Sequence, residues 1–271
     1  MTYKQQIGKV LLTARANATL SKNEVKEKDE QENIYPYRME RGYRVNQAKG
    51  FVALGLFKDY DDIRNSPKQT FGNYMPGDIK YKDVNGDGII DDQDQVAVGA
   101  TTVPNLVYGI GVSAQWKGLD VNVHFQGAGK SSFFIDGEGV RPFASGNRGN
   151  FYQEVIGGRW ISKEESGTIA TENPHAKYPR LSYGYNGNNN RNSSYWLRNG
   201  AYLRLKTLEV GYTLPKKIVN RIHFNNIRIY MIGTNLITWS KFKMWDPEMN
   251  SSNGATYPLA KSVTVGLNVN L

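Results

Sequence analysis

The chain of 271 residues contains no cysteine, which excludes disulfide frameworks and thiolate metal sites. That composition suits a secreted or envelope protein. Histidine is scarce as well: His124, His175 and His223 lie far apart and none falls in a metal-spacing motif. No apolar run approaches the roughly 18–20 residues of a spanning helix. With a mean hydropathy of −0.56, a bundle of membrane helices is excluded. Membrane strands are not, because they need only about 9–11 residues and alternate apolar with polar. The first ten residues hold no apolar signal region, and Ile7 to Leu20 already reads as strand. The chain therefore reads as starting inside a longer protein. Its net charge of +9 is scattered, with no basic helix and no clustered basic face, so no nucleic-acid partner is expected.

Catalytic constellations are missing too. Glu164 and Glu165 are adjacent, so on an extended chain they point apart, and no second acid is placed for glycoside hydrolysis. Gly109-Ile110-Gly111 and Gly127-Ala128-Gly129 open no helix and are not phosphate loops. No enzyme is expected.

What is abundant is aromatic and turn-forming: 12% Phe, Trp and Tyr, including 17 Tyr, and 28 Gly, the composition of an all-β chain with many turns. Leu119 to Gln126 alternates apolar and polar without error, as does Tyr108 to Trp116 before it, with Lys117-Gly118 between them as a two-residue hairpin turn. Val263 to Leu271 alternates at the end. Ile7 to Ser21 is a mixed strand, and Ile227 to Leu236 puts Ile227, Ile229 and Met231 on one face. Tyr202 to Leu214 changes phase around Lys206–Thr207, which predicts a bulge. Pro215 to Ile222 reads as a short helical turn.

About six strands follow, and the connections sort them. Residues 22–104 and 129–199 are very long and 239–258 intermediate, and all three fall at one end of an up-and-down sheet. The two short ones, 117–118 and 215–225, fall at the other. Long extracellular loops opposite short periplasmic turns are the pattern of an antiparallel up-and-down transmembrane β-barrel segment. Trp116 and Tyr212 beside the short turns, and Tyr108, Phe125, Tyr202 and Trp239 beside the long loops, make two aromatic belts. Leu119, Val121, Val123 and Phe125 should face lipid, with Asp120, Asn122, His124 and Gln126 inward. In the last strand Val263, Val265, Leu267 and Val269 should face outward.

Residues 83–94 follow the twelve-residue calcium-loop pattern. Asp83, Asn85 and Asp87 stand at positions 1, 3 and 5, Gly88 at the tight turn, the Ile89 carbonyl at 7 and Asp94 at 12. Position 12 is Asp where sensors use Glu, and no amphipathic helix flanks the loop. A structural Ca²⁺ pinning a surface loop is expected, with a metal-free Asx turn as the alternative. Trp160, Tyr183, Tyr185, Tyr195 and Trp196 sit among Asn and Gly in the second long loop. Aromatic faces beside amides suit a sugar ligand; loop packing and contact with a partner protein suit the same residues.

The segment Pro76-Gly77-Asp78-Ile79-Lys80-Tyr81-Lys82-Asp83-Val84-Asn85-Gly86-Asp87-Gly88 resembles a stretch found in SusC/RagA-type TonB-dependent transporters. In order around it stand Tyr35-Pro36-Tyr37, Gly50 to Phe57, Lys117-Gly118-Leu119-Asp120, Phe125-Gln126-Gly127, Tyr202 to Tyr212, Asn235-Leu236-Ile237-Thr238 and Trp245-Asp246-Pro247-Glu248. The resemblance covers essentially the whole chain. It implies the C-terminal portion of a Gram-negative outer-membrane barrel of about 22 strands, with the plug domain absent from residues 1–271. It further implies import of glycans or peptides with a SusD-like lipoprotein, the rest of the barrel and the TonB complex as partners. Leu271 stands where such barrels often end in an aromatic. A soluble calcium-stabilised β-domain for carbohydrate binding or adhesion is the alternative.

Overall fold

The computed structural model describes residues 1–146, 150–168, 172–249 and 251–270. Its backbone is one antiparallel sheet of seven strands: β1 (Thr2–Ile7), β2 (Val10–Leu20), β3 (Leu106–Trp116), β4 (Leu119–Gly129), β5 (Tyr202–Thr213), β6 (Asn226–Ser240) and β7 (Ser262–Asn270). Spatial order equals chain order, so every connection is a simple up-and-down return. Among the described residues no helix is long and apolar enough to cross a membrane.

The strand expected over Ile7 to Ser21 is β2, and a further strand, β1, precedes it. Ile7 pairs with Val10 across Gly8-Lys9, and Gly8 takes a φ of +59° that closes this hairpin. The extra turn falls at the end that already holds the 117–118 and 214–225 connections. The three short connections thus share one end and the three long ones the other. At 117–118 both residues have positive φ, as a type I′ turn needs. The expected bulge is present: Phe125 pairs with Leu205 and His124 with Thr207, which leaves Lys206 unpaired in β5. The same site skips Asn235 and Leu236 in β6, whose pairing then continues to Ser240 rather than stopping near residue 236.

The ladder registers fix the two faces. Val121 lies in one row with Ala114, Val210 and Met231, and through Met231 with Val265. Asn122 lies in the next row with Ser113 and Glu209. Val263, Val265 and Leu267 stand 65%, 73% and 63% exposed on the apolar face. Leu271, expected to continue that row, lies outside the described residues. On the opposite face Arg15, Asn17, Asn122, His124 and Thr207 line a polar hollow of about 520 Å³. Arg228 of β6 reaches across β5 on that same face. It donates to Asp120 of β4 at 3.1 and 2.5 Å and to Glu209 of β5 at 2.6 Å. Gly211 makes this possible, since a Cβ there would collide with the Arg228 guanidinium.

Of the six aromatics expected in the two belts, Tyr108, Trp116, Phe125, Tyr212 and Trp239 share the apolar face of Val121, and Tyr202 does not. Trp116 and Tyr212 stand exposed near the short turns, and Phe125 and Trp239 lie together near the long loops with ring centroids 6.2 Å apart. Tyr202 does not join them. It shares the row parity of Arg204, is buried, and lies under the Arg204 guanidinium at 5.4 Å. Its strand begins where the loops fold over the sheet, so burial there competes successfully with the membrane boundary.

The hydrophobic core is not between sheets at all. It is built by the long loops, where Phe51, Leu56, Phe71, Ile79, Tyr81 and Ile90 of the first pack with Phe133, Ile135, Trp160, Tyr178 and Trp196 of the second and Phe242 of the third. Short ladders brace the first loop, pairing Lys49–Gly50 with Val96–Ala97 and Ala53–Leu56 with Ile79–Tyr81. The three loops therefore form one cap over the end of the sheet.

Candidate ligand vestibule

One buried carboxylate ties the first two loops of the cap together. Asp78 is fully buried, and its oxygens face Arg180 Nε at 2.9 Å and Nη2 at 3.0 Å. They also accept from Asn189 Nδ2 at 2.7 Å, Asn186 Nδ2 at 3.3 Å and the Met75 amide at 2.9 Å. Next to it the Asn189 side chain accepts from the Ile79 amide, and Gln69 and Asn188 both donate to the Ile79 carbonyl. Gly77 has φ +86°, and its missing Cβ is where the Trp160 ring packs. Pro76-Gly77-Asp78 is thus the lock between loops one and two. The motif is visible in the sequence; its partners, about a hundred residues away, are not.

This lock decides the fate of the aromatic candidates. Trp196 is 1% exposed and donates its indole N–H to the Asn189 carbonyl at 2.6 Å. Trp160 is also buried. Tyr195 donates to the Ala176 carbonyl at 2.6 Å, and burial holds its phenol above the usual range. Trp160 and Trp196 belong to the cap core and Tyr195 packs against it partly buried, the loop packing that stood as the alternative to a ligand contact. Tyr183 and Tyr185 differ, standing 76% and 74% exposed. Both lie on the segment between Arg180 and Asn186, so the chain that carries them is clamped to Asp78 at each end.

In the aspartate loop the oxygens are already engaged by backbone amides. Asp83 accepts from Gly86 at 2.7 Å and Gly88 at 2.8 Å, and Asp87 accepts from Ile89 at 2.8 Å. Gly88 supplies the turn with φ +83°. Asp94 is fully buried. It accepts from Val84 at 2.7 Å, Asn85 at 3.4 Å and Asp91 at 3.0 Å, the last as half of a capping box. Among the described residues no three Asp, Glu or His converge on a metal position. Asp83, Asn85, Asp87 and the Ile89 carbonyl share one turn, while Asp94 points into the protein.

The histidines stay apart. His124 lines the inner hollow, and His175 and His223 lie in separate connections. Glu164 and Glu165 sit on the short helix Lys163–Ser166 at a cleft of about 730 Å³ shared with Asp59, Arg159 and Trp160.

No protein-family model matches the chain. The TonB-dependent receptor P26 of Formosa agariphila is 30% identical over 241 residues, which cover 84% of this chain and 23% of the receptor. The TonB-dependent receptor P3 of the same bacterium is 25% identical over 250 residues, covering 85% of this chain and 22% of that protein. The chain spans about a quarter of the length of the curated relatives it matches. Among solved structures, the RagAB peptide importer in its open-open state superposes with a TM-score of 0.69, at 18% identity, over 100% of this chain and 28% of that one. The closed-closed state gives 0.64 at 19% identity, over 100% and 29%. Identity this low shows the fold alone: the sheet has the form of a stretch of transporter barrel wall.

Proposed function

We propose that this chain, a segment of the barrel of a TonB-dependent receptor, serves an outer-membrane nutrient importer and that its loop cap walls the outer vestibule. The observation that carries the reading is the sheet itself. It presents an exposed apolar face outward, a polar face inward, and all three long loops at one end. Lipid covers such a face at no cost, whereas water would not. The resemblance to the SusC type adds a SusD-like lipoprotein as partner and glycans or peptides as cargo. Tyr183 and Tyr185 are the ligand contacts proposed for this segment. The test is uptake by cells carrying the full-length protein. Deleting the gene and discharging the proton gradient should each abolish entry of a labelled oligosaccharide or oligopeptide, and no gradient-dependent uptake from either panel would end the reading.

A structural Ca²⁺ on the 83–94 loop is proposed on donor chemistry, from Asp83, Asn85, Asp87 and the Ile89 carbonyl. Calorimetric titration of the full-length protein should show one site that Asp83→Ala abolishes; no heat at millimolar Ca²⁺ would end it. Asp83→Ala should also speed amide exchange across 83–94 in chelator, because Gly86 and Gly88 lose their acceptor. The strands should keep their protection.

A further inference from the structure

Two arginines wall one small cavity in the cap, together with Ser182, Gly184, Asn189 and Trp196. Each has a side edge formed by Nε and Nη2, the fork that matches the two oxygens of a carboxylate. In Arg180 that edge faces the Asp78 carboxylate: Nη2 donates at 3.0 Å, and Nε stands 2.9 Å from the other oxygen as an ion pair without hydrogen-bond geometry. Arg141 differs. Arg141 spends only Nη1, which donates to the Asn190 carbonyl at 3.1 Å and faces Asp136 at 3.0 Å. Its Nε and Nη2 are buried and meet no acceptor among the described residues.

The side chain is 10% exposed, and its guanidinium lies 5.0 Å from the centre of the Trp196 ring. Unmet donors on a buried cation are costly, and nothing here lets the group escape by losing its proton. The cavity measures about 30 Å³, and on the scale where one water needs roughly 10–15 Å³ it has room for about two oxygens. It reaches Ser182 and Gly184, the neighbours of the two exposed tyrosines.

We propose that the Nε–Nη2 edge of Arg141 is a subsite for the carboxylate of an imported ligand, whether the terminus of a peptide or a uronic acid. The proposal rests on the import reading, and the segment that carries Tyr183 and Tyr185 lines the cavity through Ser182, Gly184 and Asn186. The full-length protein in detergent is titrated with two matched pairs: a short peptide as free acid and as C-terminal amide, and a glucuronate-terminated disaccharide with its glucose counterpart. At least one acid should bind about tenfold or more tightly than its neutral twin, and the responding pair identifies the source. Arg141→Gln should erase that preference, as should Arg141→Lys, which keeps the charge and loses the fork. Amide exchange over 150–168 and 180–196 reports whether each variant keeps its cap.

Equal binding of acid and neutral twins, binding of neither acid, or a preference that survives in a folded Arg141→Lys protein would each overturn the subsite. In the first two cases water fills the cavity. Gradient-driven uptake of neutral ligands alone would overturn the subsite and leave the import reading standing. Acid-selective binding with no uptake of any ligand would do the reverse.

Discussion

Asp78→Ala should loosen the loop cap by about 3–5 kcal/mol, the range for stripping one partner from a buried ion pair. The loss is large because removal frees several groups at once. Arg180 keeps its charge with no counter-ion, Asn189 and Asn186 lose an acceptor, and the Met75 amide is left unmet. The damage should stay local. Native-state amide exchange in the full-length protein should show residues 69–81 and 180–196 opening far more often, with β3 to β6 protected as before. Asp78→Asn should fall between, since it keeps acceptor oxygen but not charge. Unchanged exchange in the alanine variant would show that the two loops are held by their apolar contacts, and that Asp78 is a bystander.

Val123→Arg should cost about 2–4 kcal/mol and impair barrel assembly, whereas Asn122→Arg, one residue away, should be tolerated. Neighbouring strand residues face opposite sides, and the register puts Val123 in the apolar row with Val112 and Leu208. Asn122 lines the polar hollow with His124 and Arg15. Cysteine substitutions give the sharper reading. In the folded full-length protein a water-soluble thiol reagent should label positions 122 and 268, and a lipid-phase probe 123 and 267. The reversed pattern would mean that the register is inverted. Equal aqueous labelling at all four would favour a soluble sheet.

The sequence by itself determined the sheet. A strand's facing repeats every two residues, so the alternation from Leu119 to Gln126 was enough to assign both faces of β4, and the phase change at Lys206 was enough to place the bulge. Loop lengths, counted along the chain, sorted the connections to two ends. It missed the turn at Gly8-Lys9 because the alternation there is mixed, so the change of phase that brings Ile7 and Val10, three residues apart, to the same face does not stand out.

What only the tertiary structure decided was the cap. Trp196 and Tyr183 read alike as aromatics among Asn and Gly, yet one is enclosed and the other exposed. Trp196 packs with Phe51, Ile79 and Tyr81, more than a hundred positions back along the chain, and Tyr183 has no place in that cluster. Asp94 reads as a metal ligand at position 12, yet three nearby amides draw its carboxylate inward. Arg141 carries no local signal; that its Nη1 meets the Asn190 carbonyl while Nε and Nη2 are enclosed without an acceptor among the described residues appears only in the folded cap. Local patterns carry facing, since facing is a property of consecutive residues. Burial and pairing in loops depend on distant partners, and no period in the sequence encodes them.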